Sequence, residues 1–472
     1  MAELTKTASD PSDARASSFS LDSETRDIPA AIRGYWNRLR AGDPGALPSV
    51  LGLLALVLIF DQVSDRFLTR YNIGNLPGQG AYIAIIALGL IFVLLLGEID
   101  LSAGTTGGLC AAFAARGIIG GGLRDALPGL MYGILLGLMG LAVVLGVLVK
   151  IYVGPALILV GLLFTLTGLD KHVIPALILA VSIGTAVGII NGFLVAKVGI
   201  PSFIVTLALF LAWQGAIILV LASEARPVRN FELWNGFSNN NMSPAWSWVF
   251  VIGAAGGYLV FTAARSLRSR AKGASYEAMS LVFIRGALIM ALGVVIVIFA
   301  NQNRNPNEGF PIKGLPWAAT IPVALMIVCA IALTKTTWGR HLFATGGNEE
   351  AARRAGIDVV RIKVTAFMLC SSFAAFGGIM LSSYLGTVTL DLGAGNILLF
   401  SVAAAVIGGT SLFGGRGRAR DAIIGGLVIA IIPNGIGLRP SLPAEYNNVI
   451  TGLVLLVAAS VDAISRRRAR TR

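Results

Sequence analysis

The chain is poor in what a soluble enzyme is made of. Of its 472 residues only 13% are charged, against about 25% in a soluble domain. No stretch is both long and polar enough to build a separate soluble core. Histidine occurs twice, as His172 and His341, both near expected loop ends. Neither has a metal partner, nor a serine or cysteine with an acid at triad-like spacing, so enzymatic catalysis has no visible basis. Cys110, Cys329 and Cys370 are the only cysteines, all within apolar runs and without disulfide or metal spacing; they read as small core residues. The phosphate-binding order G-x-x-x-x-G-K-[ST] is missing as well, so the chain should not hydrolyse ATP itself. Alternation of polar and apolar residues is lacking too, which argues against a β-barrel. The N-terminus has no signal-peptide pattern: residues 1 to about 27, rich in Ser, Asp, Thr and Ala, read as disordered.

What the chain has is apolar length. It is 56% hydrophobic, and runs near 20 residues recur throughout, the length that spans a bilayer as a helix. The expected fold is an all-α polytopic membrane protein of about 12–14 transmembrane helices, some of them broken. Candidate spans are roughly 48–63, 79–97, 101–119, 128–150, 152–169, 173–196, 201–222, 246–264, 281–300, 317–335, 361–384, 397–412, 421–438 and 445–464. A single transmembrane domain then covers 48–464. Residues 1–47 form a cytoplasmic tail and 465–472 a basic one. Within the first tail, Ile32, Tyr35, Trp36 and Leu39 would share one face of a helix lying in the membrane interface; a merely solvated segment explains the same residues.

The net charge of +13 does not point to nucleic acid, because it sits at helix ends. Arg265, Arg268, Arg270 and Lys272, then Arg416, Arg418 and Arg420, then Arg466 to Arg472 mark cytoplasmic loops and tail. With both termini inside, these loops and 336–360 fall inside, and the Asn-rich loops 223–245 and 301–316 fall outside.

Asp100-Leu-Ser-Ala-Gly104 recurs as Asp391-Leu-Gly-Ala-Gly395, each followed by an Asn-Gly pair, Asn191-Gly192 and Asn434-Gly435. The Asp-to-Asn spacings are 91 and 43, a difference of 48, or about two membrane helices with a turn. Residues 120–170 thus read as a helical-pair insertion into the first of two related halves. Two crossings precede Asp100 and eleven precede Asp391, so the halves form a candidate inverted repeat; chance matching in a Leu-, Ala- and Gly-rich chain is the alternative.

Gly97-Glu98-Ile-Asp100-Leu-Ser102-Ala-Gly104 places two carboxylates between apolar runs, where a charge is kept only against a cavity, a partner or the surface. Either the helix breaks there and the polar groups meet a solute, or the segment is a surface turn. Asn191, Trp213, Gln214, Asn396 and Asn434 are further candidates for a solute path, since amides suit hydroxyls and an aromatic face suits a ring. Interhelical hydrogen bonding is the simpler account of any one of them. Gly408-Gly-Thr-Ser-Leu-Phe-Gly-Gly-Arg-Gly417 reads as small residues for close helix packing, ending in a basic turn.

Four motifs in one order carry a resemblance: Gly97-Glu-Ile-Asp-Leu-Ser102, Ile200-Pro-Ser-Phe-Ile-Val-Thr-Leu207, Phe343-Ala-Thr-Gly-Gly-Asn-Glu-Glu-Ala-Ala-Arg-Arg-Ala-Gly-Ile357 and Gly408 to Arg416. Over residues 70 to 464 the chain resembles ABC-transporter sugar permeases of the ribose/xylose type. Glu98, where ribose-type members more often carry Gly, points to the xylose branch; the 120–170 segment departs from the usual length. The resemblance implies a bacterial inner-membrane importer subunit for a monosaccharide, xylose or a related pentose. It implies a second permease copy, an extracytoplasmic sugar-binding protein and an ABC ATP-binding subunit that hydrolyses ATP with Mg, no cofactor being held by this chain. It also implies that 339–357 is the loop that docks on the ATPase, through Gly346, Gly347, Asn348, Glu349, Glu350, Ala351, Ala352, Arg353 and Gly356. Glu349 and Glu350 suit the start of a short helix, Arg353 and Arg354 its last turn, and Gly356 its left-handed end. The rival reading is an ion-coupled secondary sugar transporter with Glu98 and Asp100 as its ion sites; it gives the Glu-Ala-Ala loop no role.

Overall fold

A computed structural model describes residues 47–271, 279–305, 307, 309–439, 441, 443 and 445–470. The N-terminal tail with its interfacial face lies outside these residues. Each of the fourteen expected apolar runs is a helix. They are α1 (Leu47–Val63), α2 (Arg70–Leu95), α3 (Ala103–Ile119), α4 (Gly129–Leu148), α5 (Val153–Leu166), α6 (Val173–Phe193), α7 (Ser202–Leu221), α9 (Pro244–Ala271), α10 (Met279–Asn301), α11 (Trp317–Lys335), α14 (Val359–Leu385), α15 (Ile397–Gly408), α16 (Ala419–Gly437) and α17 (Tyr446–Arg470). Three shorter helices that matter below are α8 (Glu232–Asn239), α12 (Thr337–Gly347) and α13 (Glu349–Arg354). Nine helices among the described residues are long and apolar enough to cross a membrane: α2, α4, α6 with its π-helical end, α7, α9, α10, α11, α14 and α16. The all-α membrane fold is therefore as expected.

Three boundaries differ by six residues or more, one of them the end of α9, which runs to Ala271 instead of 264. The second helix begins nine residues before the expected start at 79, because Thr69 caps it by accepting from the Asn72 backbone N–H. The last helix runs through the expected tail to Arg470, its Ala and Arg residues being good helix formers.

The larger unit, Gly45–Met242 with Asn303–Ile464, is built around α2 and α14. Contact between helices in a bilayer depends on close van der Waals approach, which small residues permit. The α6 stripe Gly184, Gly188 and Gly192 supplies it: a β-carbon there would run into Ser371, Phe367 and Val364 of α14 respectively. On the other side of α14, the α2 residue Gly89 leaves room of the same kind for the backbone at Cys370.

The 120–170 segment contains two packed helices, α4 and α5. Gly146 of α4 packs on Pro155, and Gly161 of α5 packs on Ser182 of α6. Its ends are joined by Asp170, whose carboxylate accepts from the Leu123 backbone N–H at 2.7 Å. Leu130, Val144, Leu148, Val153 and Leu163 are left exposed on the outside of the pair.

The expected outer loop 223–245 is more than a loop. Arg226–Pro227 forms a two-residue strand antiparallel to Thr387–Val388. Beyond it α8 buries Trp234 completely, its indole N–H reaching the Ile379 carbonyl and the Ser382 hydroxyl at 3.1 Å each. A short amphipathic helix in a polar sequence has little periodicity to reveal it. The 303–316 stretch is anchored by buried Arg304, which donates to Asn241 at 3.0 Å and to the Gly314 carbonyl at 2.8 Å. Burial lowers its pKa from the ordinary arginine value.

The smaller unit includes Ser243–Gln302. Its described helices α9 and α10 form a hairpin in which Gly286 receives Leu259 and Gly293 receives Val251.

Candidate functional site: a capped helix pair beside a helix break

The stretch after Trp338 forms two helices, α12 and α13, not one. Asn348 separates them: its extended backbone ends α12, and its side chain caps α13 by accepting from the Ala351 N–H at 2.9 Å. Glu349 and Glu350 occupy the first turn and Arg353 and Arg354 the last, complementing the helix dipole. They pair as Glu349–Arg353 at 3.0 Å and Glu350–Arg354 at 3.1 Å. Gly356, at φ +81°, ends the helix. The Ile357 N–H bonds to the Ala352 carbonyl at 3.1 Å and the Gly356 N–H to that of Arg353 at 3.0 Å.

The two alanines separate. Ala351 is exposed, whereas Ala352 is buried against the chain's own body. The small face open to a partner is therefore narrower than the Ala-Ala pair suggests. Gly346 lies where any side chain would collide with the Leu95 carbonyl at the end of α2, while Gly347 is open.

The α2–α3 connection, residues 96–102, is a true break in the helical run, with Gly97 at φ +76°. Glu98 ion-pairs with Lys363 of α14 at 2.9 Å, and the same ammonium reaches Glu349 of α13 at 2.9 Å. Lys363 was not among the residues singled out from sequence. The signal was there: a lysine two residues into an apolar run and a glutamate in another have opposite charge and the same need of a partner.

Asp100, Ser102 and Asn191 come together. The Asp100 carboxylate accepts from the Ser102 N–H at 2.9 Å and its hydroxyl at 2.7 Å, and the Asn191 amide donates to the Ser102 hydroxyl at 3.3 Å. All three are fully buried. The other sugar-path candidates lie apart from them. Asn434 exchanges amide hydrogen bonds with Asn72 at 2.8 and 2.9 Å, and Asn396 donates to Asn448 at 2.6 Å. Trp213 and Gln214 are half-buried on α7.

The Gly408–Gly417 motif is a turn more than a packing stripe. Gly408 packs against α16 at Asp421 and Gly414 against the ends of α12 and α2; Gly409, Gly414 and Gly415 hold φ of +121°, +83° and +74°, which side chains oppose. Asp421 locks the turn by accepting from the Arg418 N–H at 2.7 Å and the Thr410 hydroxyl at 3.1 Å. The Gly415 N–H bonds to the Leu95 carbonyl at 2.8 Å. The turn, the break and α12 thus meet at the end of α2.

Residues 72–459 match the family described as branched-chain amino acid transport system / permease component. The chain belongs to this permease family. It is 30% identical over 425 residues to the xylose transport system permease protein XylH of Escherichia coli (strain K12), covering 89% of this chain and 92% of that one. The XylH protein of Haemophilus influenzae (strain ATCC 51907 / DSM 11121 / KW20 / Rd) is 27% identical, with 89% and 96% covered. The ribose import permease protein RbsC of E. coli (strain K12) is 25% identical, with 88% and 92% covered. No solved structure matches the chain.

The resemblance to ABC permeases of the ribose/xylose type is therefore borne out. Such permeases are transport subunits without an ATPase site of their own. The family implies an ATP-binding subunit and a periplasmic binding protein as partners, and a multi-pass place in the bacterial inner membrane. The ion-coupled rival loses its ground, both through this membership and through the engagement of Glu98 by Lys363.

Proposed function

We propose that this chain is the permease of an ABC importer for a pentose, xylose before ribose, working as a homodimer. The capped α13, with exposed Glu350, Ala351 and Arg354 beside buried Ala352, carries the reading. It is a rigid, short, two-signed knob of the kind that a cleft in an ATPase accepts. ATP and Mg belong to that partner, and this chain binds no cofactor. The xylose assignment rests on the greater identity to XylH than to RbsC and on Glu98.

The coupling residues are Gly346, Gly347, Asn348, Glu349, Glu350, Ala351, Ala352, Arg353 and Gly356. Asn348 and Gly356 shape the knob, Gly346 seats it on α2, and Glu350 and Ala351 meet the partner. Both termini face the cytoplasm, as the basic helix ends require. In the sugar path, Trp213 and Gln214 can offer an aromatic face and an amide, while Asp100, Ser102 and Asn191 hold the backbone of the break. Sugar crosses at the dimer axis as ATP-driven closure tilts the halves.

The test is to purify the tagged chain from its native membrane in mild detergent and identify its companions by mass. A stoichiometric ATPase lost on Glu350→Arg supports the reading. Recovery alone, with uptake that survives ATP depletion, overturns it. Competition of labelled xylose uptake by unlabelled ribose and by hexoses then tests the substrate.

A further inference from the structure

Lys363 stands between two carboxylates from segments far apart in the chain. Its Nζ is 2.9 Å from Glu98 Oε1 on the α2–α3 break and 2.9 Å from Glu349 Oε2 on α13. The lysine side chain is 12% exposed and that of Glu98 18%, so water competes poorly for either. Glu349 is also held by Arg353, which fixes it to α13 instead of leaving it to follow the lysine. On the other side, the break has no continuous helical ladder to stiffen it. It is tied onward to α7 by the Ile99 N–H on the Ser202 hydroxyl and by the Thr206 hydroxyl on the Ile99 carbonyl, both at 3.4 Å. Two residues further lies the buried Asp100–Ser102–Asn191 set. The bridge thus joins the surface knob to the helix break that leads into this buried set.

We propose that Lys363 is a positioning residue that carries displacement of α13 to the α2–α3 break during transport. This rests on the importer reading above. With both contacts made, α13 and the break move as one. When the partner draws α13 away, the ammonium keeps one carboxylate and frees the other. Without Lys363 the two carboxylates face each other across a partly dry gap and repel. A second strut sits behind it: the Trp338 indole N–H donates to Thr365 at 2.7 Å, with its ring 5.7 Å from that of Phe92. That strut joins α12 to α14 and α2 and does not touch the break, so the two links are separable.

The experiment uses the whole transporter in proteoliposomes, with its ATPase subunit and binding protein, reading xylose uptake and phosphate release from the same vesicles. For Lys363→Met, ATP hydrolysis should stay within about twofold of wild type while sugar moved per ATP falls about tenfold or more; Lys363→Arg should retain at least about half. Glu98→Gln and Glu349→Gln should each lower sugar per ATP. Together they should do no worse than the stronger one, because both act through one link.

Wild-type sugar per ATP in Lys363→Met would overturn the proposal, as would independent, multiplying effects of the two glutamine variants. If Lys363→Met does not assemble, the two glutamine variants and their combination decide. A wild-type chain that recruits no ATPase, or moves sugar without ATP, defeats the importer reading itself and is seen before any variant is made.

Discussion

Gly104 and Gly393 face each other so closely that each backbone carbonyl fills the space a β-carbon on the other would need. They belong to the two echoing segments, Asp100–Gly104 and Asp391–Gly395. The second echoing segment therefore meets the first turn of α3. The end of α2 lies against Gly346 and Gly415, and α14 begins beside the same elements. The helices that lead into the two echoing segments, α2 and α14, thus run in opposite directions. Gly393 also holds φ +79°.

Gly393→Ala should accordingly be severe. A left-handed backbone costs about 1–2 kcal/mol for an L-residue, and the collision with Gly104 adds about 1–3 kcal/mol of overpacking. Gly137→Ala, at a site with nothing near the new methyl, is the matched control. Thermal unfolding followed by size-exclusion should show a clear drop for the first and little change for the second. Equal behaviour would refute the contact.

The Asn72–Asn434 amide pair leads to a different expectation. Both residues are buried, and Asn72 also donates to the Phe67 carbonyl at 2.9 Å. Asn434→Ala strands polar atoms of Asn72 and should cost about 1–3 kcal/mol. Replacing both by alanine should cost less than the sum of the singles. Additive losses in melting temperature would show that the pair does not act as a unit, and would return Asn434 to the sugar path.

These sites differ in how far they could be read in advance. The α2 and α14 helices were legible because a membrane helix must satisfy its whole backbone internally and so advertises itself as an apolar run. The charged turns of α13 and its end at Gly356 were legible because helix-end chemistry is local. Lys363 signalled only the need of an acidic partner, because an ion pair between residues far apart leaves no mark in local spacing that names the partner. The α8 helix was missed since Trp234 finds its partners on α14, not within its own segment. Glu98 and Asn434 looked like solute groups for the same reason: a polar residue in an apolar run declares a need for a partner without saying which.

Asp170 links the two ends of the α4–α5 pair, and pH should reveal it. It lies in the turn between α5 and α6, fully buried, and burial holds its carboxyl above the ordinary carboxylate range, opposed by the Leu123 N–H. A folded-state pKa above the unfolded one means the folded state binds more protons between the two values. Its contribution is present below the ordinary carboxylate range and lost as pH rises through the folded value. Wild type should lose stability across that window relative to Asp170→Asn, which has no such titration. Parallel melting-temperature profiles for the two proteins would contradict the assignment.

Ala351 and Ala352 are neighbours in sequence with opposite fates, and enlarging each should separate docking from folding. Ala352 is 4% exposed, so Ala352→Leu pushes methylenes into a filled space and should cost about 1–3 kcal/mol. The loss should be seen as a lower melting temperature of the isolated permease, before any partner is added. Ala351 is exposed on α13 beside Glu350 and Arg354, and leucine is at home in a helix. Ala351→Leu should thus leave the isolated permease's melting temperature unchanged. If the knob enters a cleft, the added bulk should still weaken recovery of the ATPase about tenfold, since a well-packed contact cannot absorb a new side chain without moving. Full ATPase recovery with Ala351→Leu would place the docking surface elsewhere on the chain, and an unchanged melting temperature with Ala352→Leu would mean that α13 is not seated as the structure has it.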